Sequence, residues 1–112
     1  MASTRDLDPR FKPIADALIA ALREIDPRYV ITSARRSSTA QAQLYARYRR
    51  GEPGVFTVAI PGTSAHERGL AVDIARIGLH PMSDPLLHAV GTWWRGVGGV
   101  WGGTKDPVHF GI

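Results

Sequence analysis

His66 and Asp73 stand seven residues apart in PGTSAHERGLAVDIA, residues 61–75, and this offset restricts the fold more than any other feature of the chain. Side chains alternate along a strand, so a straight strand through both residues would point them to opposite faces. For the two to act together, the backbone has to turn between them. Gly69 is the residue that can make such a turn, because it lacks a Cβ. The apolar, β-rich run LAVDIARI, 70–77, then predicts a strand that leaves the turn carrying Asp73.

The remaining segments can be read the same way. FKPIADALIAALREID predicts an amphipathic helix on Ile14, Leu18, Ala21, Leu22 and Ile25, ended by Asp26-Pro27. YVITSA, 29–34, reads as a buried strand. SSTAQAQLYARYRRG predicts a serine-capped helix stopped by Gly51. Residues 52–64, with two prolines and two glycines, read as a loop crossing toward the site. SDPLLHAVGTWWRGVG predicts a third helix, capped by Ser83 or Asp84 with Pro85 in its first turn. VWGG and VHFGI close the chain as two short strands. This order implies one α+β domain, residues 1–112, with a small, mostly antiparallel sheet and flanking helices.

Composition limits the chemistry. The chain has 112 residues, 44% of them hydrophobic and 21% charged, which fits a globular domain able to build its own core. It has no cysteine, so disulfides, thiolate metal sites and cysteine nucleophiles are excluded. Any metal must be held by His, Asp or Glu. The net charge of +4 suits polyanionic partners, and it equally suits a merely solubilising surface. No apolar run is long enough to span a membrane, and MASTRDLDPRFKP lacks the apolar core of a secretory signal. The expectation is a protein that stays in the cytoplasm until released, without stable membrane insertion.

The tail DPVHFGI completes a set of residues that can carry chemistry. His66, Asp73 and His109 are two imidazoles and a carboxylate, the donors zinc accepts at about 2.0–2.2 Å with a fourth position left for water. Asp106, three residues before His109, can face the same water and take up its proton without binding the metal. The competing reading is a structural strand aspartate with two histidines satisfied in the core. A nucleic-acid binder, the other reading of the charge, gives no reason for the His66, Asp73, Asp106 and His109 set.

SAHERGLAVDI resembles the S-x-H-x-x-G-x-A-x-D motif of zinc peptidases that cut peptidoglycan peptides, and DPVHF resembles their D-x-x-H closing motif. WGG before it is also typical, and ITSARRSSTAQAQLY resembles their TSGYRS…Q segment, with Ala34-Arg35 where Gly-Tyr is commoner. The resemblance runs from about Ile31 to Ile112. It is to the family that joins D-alanyl-D-alanine carboxypeptidases with phage L-alanyl-D-glutamate endopeptidases and shares its fold with the hedgehog signalling domain. The resemblance implies Zn2+ held by His66, Asp73 and His109, Asp106 as general base, and Arg36 binding a substrate carboxylate or steadying the oxyanion. It also implies that Ser64 and Gln41 support the site. The chain departs from the pattern in having only Thr104 and Lys105 between WGG and D-x-x-H, where relatives have a longer insertion. Arg35 beside Arg36 reads as solvated.

The implied activity is hydrolysis of peptidoglycan stem peptides by an L-alanyl-D-glutamate endopeptidase of phage lysis type, acting as a monomer and released to the wall with the help of a holin. A D-Ala-D-Ala carboxypeptidase and a non-catalytic zinc-containing wall-binding module are the alternatives. Among other features, Trp101 frames the cleft beside the substrate or fills the core. One of Trp93 and Trp94 is core and the other is a candidate for the groove. Tyr45 and Tyr48 read as helix packing, and the ARYRRG arginines as a solvated helix end. His80 and His88 read as a surface and a packed histidine. Glu67 is assigned no role.

Overall fold

The computed structural model describes residues 2–55 and 58–112. Phe56 and Thr57, inside the expected 52–64 loop, lie outside the described residues. Helix α1 is Lys12–Ile25, strand β1 Tyr29–Ser33, helix α2 Ser38–Arg49, strand β2 Ala71–Arg76, helix α3 Pro85–Gly96, strand β3 Val100–Trp101 and strand β4 His109–Gly111. Short 3₁₀ turns at Pro81–Ser83 and Gly103–Lys105 were not anticipated. The strands form one antiparallel sheet in the order β1-β2-β4-β3. The fold is therefore the expected α+β arrangement.

Strand alternation sorts the sheet into two faces. Val72 and Ile74 of β2, with Phe110 of β4, are fully buried against the helices, and Val72 pairs with Phe110 across the strands. Leu18, Ile19 and Leu22 of α1 and Leu87 and Trp94 of α3 complete this core. The buried stripe of α1 is rotated from the expected one. It runs through Ala15, Leu18, Ile19 and Leu22, leaving Ile14 and Ile25 at 38% and 64% exposure and Ala21 exposed. Phe11, just before the helix, sets this rotation by entering the core itself.

The other face of the sheet carries polar residues at its centre. Asp73 lies opposite His109 on β4 and opposite Ser33 on β1. Ser33 has the same parity as the core residues Tyr29 and Ile31, and would face the helices in a regular strand. An irregularity between Ile31 and Ser33 shifts the register and brings Ser33 to the side of Asp73. A row Ser33, Asp73, His109 thus crosses the sheet. Helix α2 stands at the edge of this face. Ser37 caps it by accepting from the Ala40 N–H at 3.0 Å, and only Gln41 of the helix is buried. Tyr45 and Tyr48 touch each other, with ring centroids 6.2 Å apart, but Tyr45 is only half-buried and Tyr48 is 37% exposed, and neither belongs to the core.

Helix α3 starts as expected at Asp84, whose carboxylate accepts from the Leu87 N–H at 3.2 Å. Asp84 also accepts from the Tyr29 hydroxyl at 2.7 Å, tying α3 to β1 at the end of the sheet away from the polar row. Among the described residues no helix is long and apolar enough to cross a membrane.

Candidate metal centre and cleft

The turn before β2 delivers His66. Gly69 takes φ +70, and a Cβ there would stand 2.7 Å from the backbone nitrogen of Asp8, which itself donates to the Gly69 carbonyl at 3.0 Å. The positive φ and the close approach both require glycine. The turn folds His66 back so that its Nε2 lies 3.0 Å from Asp73 Oδ1, and His109 Nδ1 lies 3.6 Å from the same oxygen. One donor atom from each of the three residues lies within 4.8 Å of the others. A tetrahedral ion with bonds of about 2.0–2.2 Å separates its ligand atoms by roughly 3.3–3.6 Å; the Asp73–His109 pair stands at that spacing and the His66–Asp73 pair slightly inside it.

The surroundings support the same chemistry. His66 Nδ1 donates to the Ala34 carbonyl at 2.8 Å, which makes Nε2 the ring nitrogen that would face an ion in the cleft. The His66 N–H donates to Ser64 Oγ at 3.2 Å, and both residues are about 95% buried. Burial opposes ionisation of Asp73, but hydrogen bonds from His109 and His66 outweigh it and hold the carboxyl well below its usual range. Asp73 is therefore a carboxylate, as a cation ligand must be.

A cleft of about 580 Å³ opens beside the trio, lined among others by Arg36, Gln41, Ser64, Lys105 and Asp106. This size accommodates a peptide-sized ligand. Arg36 is held on two sides, donating to Gln41 Oε1 at 2.7 Å and Ser33 Oγ at 2.8 Å, and its Nη2 lies 3.8 Å from Asp73 Oδ2. Gln41, 1% exposed, also donates to the Ala59 carbonyl at 2.9 Å. Arg35 points away, toward the Asp6 carbonyl at 3.5 Å. Arginine, positioned at both ends of its fork, can face an anion without reorganising.

Asp106 follows the Gly103–Lys105 turn. A Cβ on Gly102 would lie 2.2 Å from the Asp106 carbonyl oxygen and 3.0 Å from His109 Cβ, so the WGG motif lets this short loop close over the site. The loop is brief, yet it leaves Asp106 on the cleft wall. Burial, and then the charge of Asp73, push its pKa up, against the pull of His109, His66 and Arg36.

Trp101, read as framing the cleft beside the substrate or filling the core, lies in the core and does not line the cleft. Its indole is buried among α3, His88 and the Arg95 guanidinium, and its Nε1 donates to the Pro107 carbonyl at 2.9 Å. It braces the Asp106 loop from behind. Trp94 is core, donating to the Gly111 carbonyl at 2.9 Å, and Trp93 is 56% exposed and does not line the cleft. Adjacent helix residues differ by about 100° in direction, and the side of α3 that Trp93 occupies faces neither the sheet nor the cleft. His88 packs edge-on to Trp101, and His80 accepts from the Met82 N–H at 3.1 Å.

Two residues emerge that the sequence did not single out. Glu67 accepts from the Ser38 hydroxyl at 2.8 Å and from the Gly62 and Ser64 N–H groups at 2.9 and 3.2 Å. It ties the loop before His66 to the start of α2, and only its place inside the motif hinted at this. Arg47, read as a solvated helix end, lines the cleft while bonding Glu52 twice at 3.0 Å.

The family model for VanY, D-alanyl-D-alanine carboxypeptidase, matches residues 4–89. This span holds Arg36, His66 and Asp73 and ends before Asp106 and His109, which the sheet brings to the same cleft. The chain is 41% identical over 70 residues to the peptidoglycan L-alanyl-D-glutamate endopeptidase CwlK of Bacillus subtilis (strain 168), which covers 62% of this chain and 42% of that protein. The chain thus spans under half the length of this curated relative. It superposes on VanYB in complex with D-alanine-D-alanine with a TM-score of 0.64 at 25% identity, covering 95% of this chain and 71% of that one. A mutant of the vancomycin resistance D,D-pentapeptidase VanY in complex with Zn(II) gives a TM-score of 0.61 at 25% identity, covering 95% and 72%.

Proposed function

The chain belongs to the VanY, D-alanyl-D-alanine carboxypeptidase, family, and from that premise we propose that residues 1–112 act as one zinc-dependent peptidase domain that hydrolyses peptidoglycan stem peptides. The observation that carries this reading is the His66, Asp73, His109 trio beside Asp106 in one cleft. The zinc complex of the similar D,D-pentapeptidase supports zinc as the ion. When bound, zinc supplies Lewis-acid polarisation of the scissile carbonyl and a nucleophile at neutral pH.

This chain's own side chains would do the rest. His66 and His109 present imidazole nitrogens and Asp73 a carboxylate oxygen. The Asp106 carboxylate receives a proton from the attacking water and returns it to the leaving nitrogen. Arg36, fixed by Gln41 and Ser33, holds a substrate carboxylate or steadies the oxygen that gains charge. Ser64 orients the His66 backbone, and Trp101 holds the loop that bears Asp106.

Within this chemistry we favour the L-alanyl-D-glutamate bond, supported by the likeness to CwlK and the terse WGG…DPVHF ending. Removal of a terminal D-alanine is the second reading, supported by the family description and the VanYB complex. The finer picture is a monomeric lysis enzyme of phage origin, bacteriolytic, reaching the wall with a holin's help. A wall-binding module without turnover is the third reading.

Digestion of purified peptidoglycan by the zinc-loaded protein, with products read by mass spectrometry, tests the proposal. Stem peptides beginning with D-Glu support the endopeptidase, and loss of terminal D-alanine alone moves the assignment to the carboxypeptidase. Intact material after incubation with folded, zinc-loaded protein rejects catalysis in favour of binding.

A further inference from the structure

The cleft carries more positive charge than its ligand set explains. Three cations line it, Arg36, Arg47 and Lys105, against two carboxylates, Asp73 and Asp106, and a divalent ion would add two further positive charges. Two of the cations are committed. Arg36 is held by Gln41 and Ser33, and Arg47 by two bonds to Glu52. Lys105 is exposed and, among the described residues, has no ion-pair partner.

Its placement is set by the short loop. Gly103, at φ +77, turns the chain, and only Thr104 separates it from Lys105, which directly precedes Asp106. In the sheet order β1-β2-β4-β3, Arg36 flanks Asp73 from the β1 side, while Lys105 and Asp106 approach from the β3–β4 connection. The two cations therefore bracket the trio. Asp106 would pass its proton to the leaving nitrogen, and Lys105, the residue before it, lines the same cleft. An ammonium on a flexible stem can meet a carboxylate there without fixed geometry.

Resting on the peptidase reading above, we propose that Lys105 determines specificity by pairing with a free carboxylate on the leaving-group side of the stem peptide, so that acidic peptides are preferred to their carboxamides. Such a pair lies at the cleft mouth in water, so its effect is modest and salt-sensitive.

Two synthetic peptides that differ only in carboxylate or carboxamide at the leaving residue provide the test. Their dissociation constants are measured by calorimetry on zinc-loaded Asp106→Ala protein, in which the peptides survive. The acid should bind about threefold tighter than the amide. Adding Lys105→Gln should bring the ratio close to one, and Lys105→Arg should restore it. The preference should shrink as salt is raised. An unchanged ratio in Lys105→Gln, or equal weakening of both peptides, overturns the proposal. Cleavage by the wild-type protein is followed separately. A Lys105-dependent preference without cleavage of either peptide keeps the role of Lys105 and rejects the peptidase reading.

Discussion

Gly69 is where a single atom decides whether the site forms. Alanine there would sit at φ +70 with its Cβ 2.7 Å from the Asp8 nitrogen. Left-handed backbone costs a non-glycine residue about 1–3 kcal/mol, so Gly69→Ala should lower the melting temperature by about 4 °C or more in a thermal melt. It should also weaken zinc binding, because the same turn sets His66 against Asp73. Gln41 is a second such point. Gln41→Leu would leave the Ala59 carbonyl and one end of Arg36 unpartnered, a loss of about 1–3 kcal/mol. Steady-state kinetics should show impaired turnover as Arg36 loses its fixed orientation. The need for a turn between His66 and Asp73 was legible from their odd spacing. The reach of Gln41 to both Arg36 and Ala59 was not, because it depends on where a loop far along the chain comes to rest.

At the scale of elements, the β3–β4 connection carries Asp106, and Trp101 stabilises it from the core side. Trp101→Phe keeps an aromatic side chain but shrinks the indole that packs on Gly91 and removes the Nε1–H bond to the Pro107 carbonyl. We expect a stability loss of about 1 kcal/mol in urea unfolding. We also expect a lower kcat with zinc affinity little changed, since the loop and not the trio is loosened. Periodicity and cap residues located the three helices and four strands of the described residues. The rotation of α1 was not legible, because Phe11 enters the core from outside the helix and turns the buried stripe toward Ala15 and Ile19. Nor was the register shift that brings Ser33 beside Asp73, since it depends on pairing between strands about forty residues apart. Trp101 was open to two readings, framing the cleft or filling the core, because it starts the motif that closes the site. Alternation along so short a strand does not tell which side the ring takes.

For the whole molecule, ionisation links folding to pH. Asp8 is held at about 2, chiefly by the Arg10 side chain, and Asp26 well below its usual range, chiefly by Arg28. These carboxylates bind protons less readily folded than unfolded, so their stabilisation is complete above the unfolded carboxylate range and is lost as pH falls through it toward 2. The midpoint of urea unfolding should accordingly drop between pH 5 and pH about 2. Asp106 acts in the opposite sense, since its raised pKa disfavours the folded state once pH exceeds it. Asp106→Asn should therefore raise the melting temperature of metal-free protein at neutral pH and have little effect near pH about 3. A gain in stability from removing Asp106 would mark it as a residue kept for function.

The most direct test of the account is turnover of a purified stem peptide by metal-free protein as zinc is titrated in, with wild type and Asp106→Ala compared at measured zinc occupancy. The account predicts that wild-type activity rises with occupancy and disappears with chelator, while Asp106→Ala takes up the same zinc and stays inactive. Activity that ignores zinc, or an Asp106→Ala protein as active as wild type at equal occupancy, would contradict it.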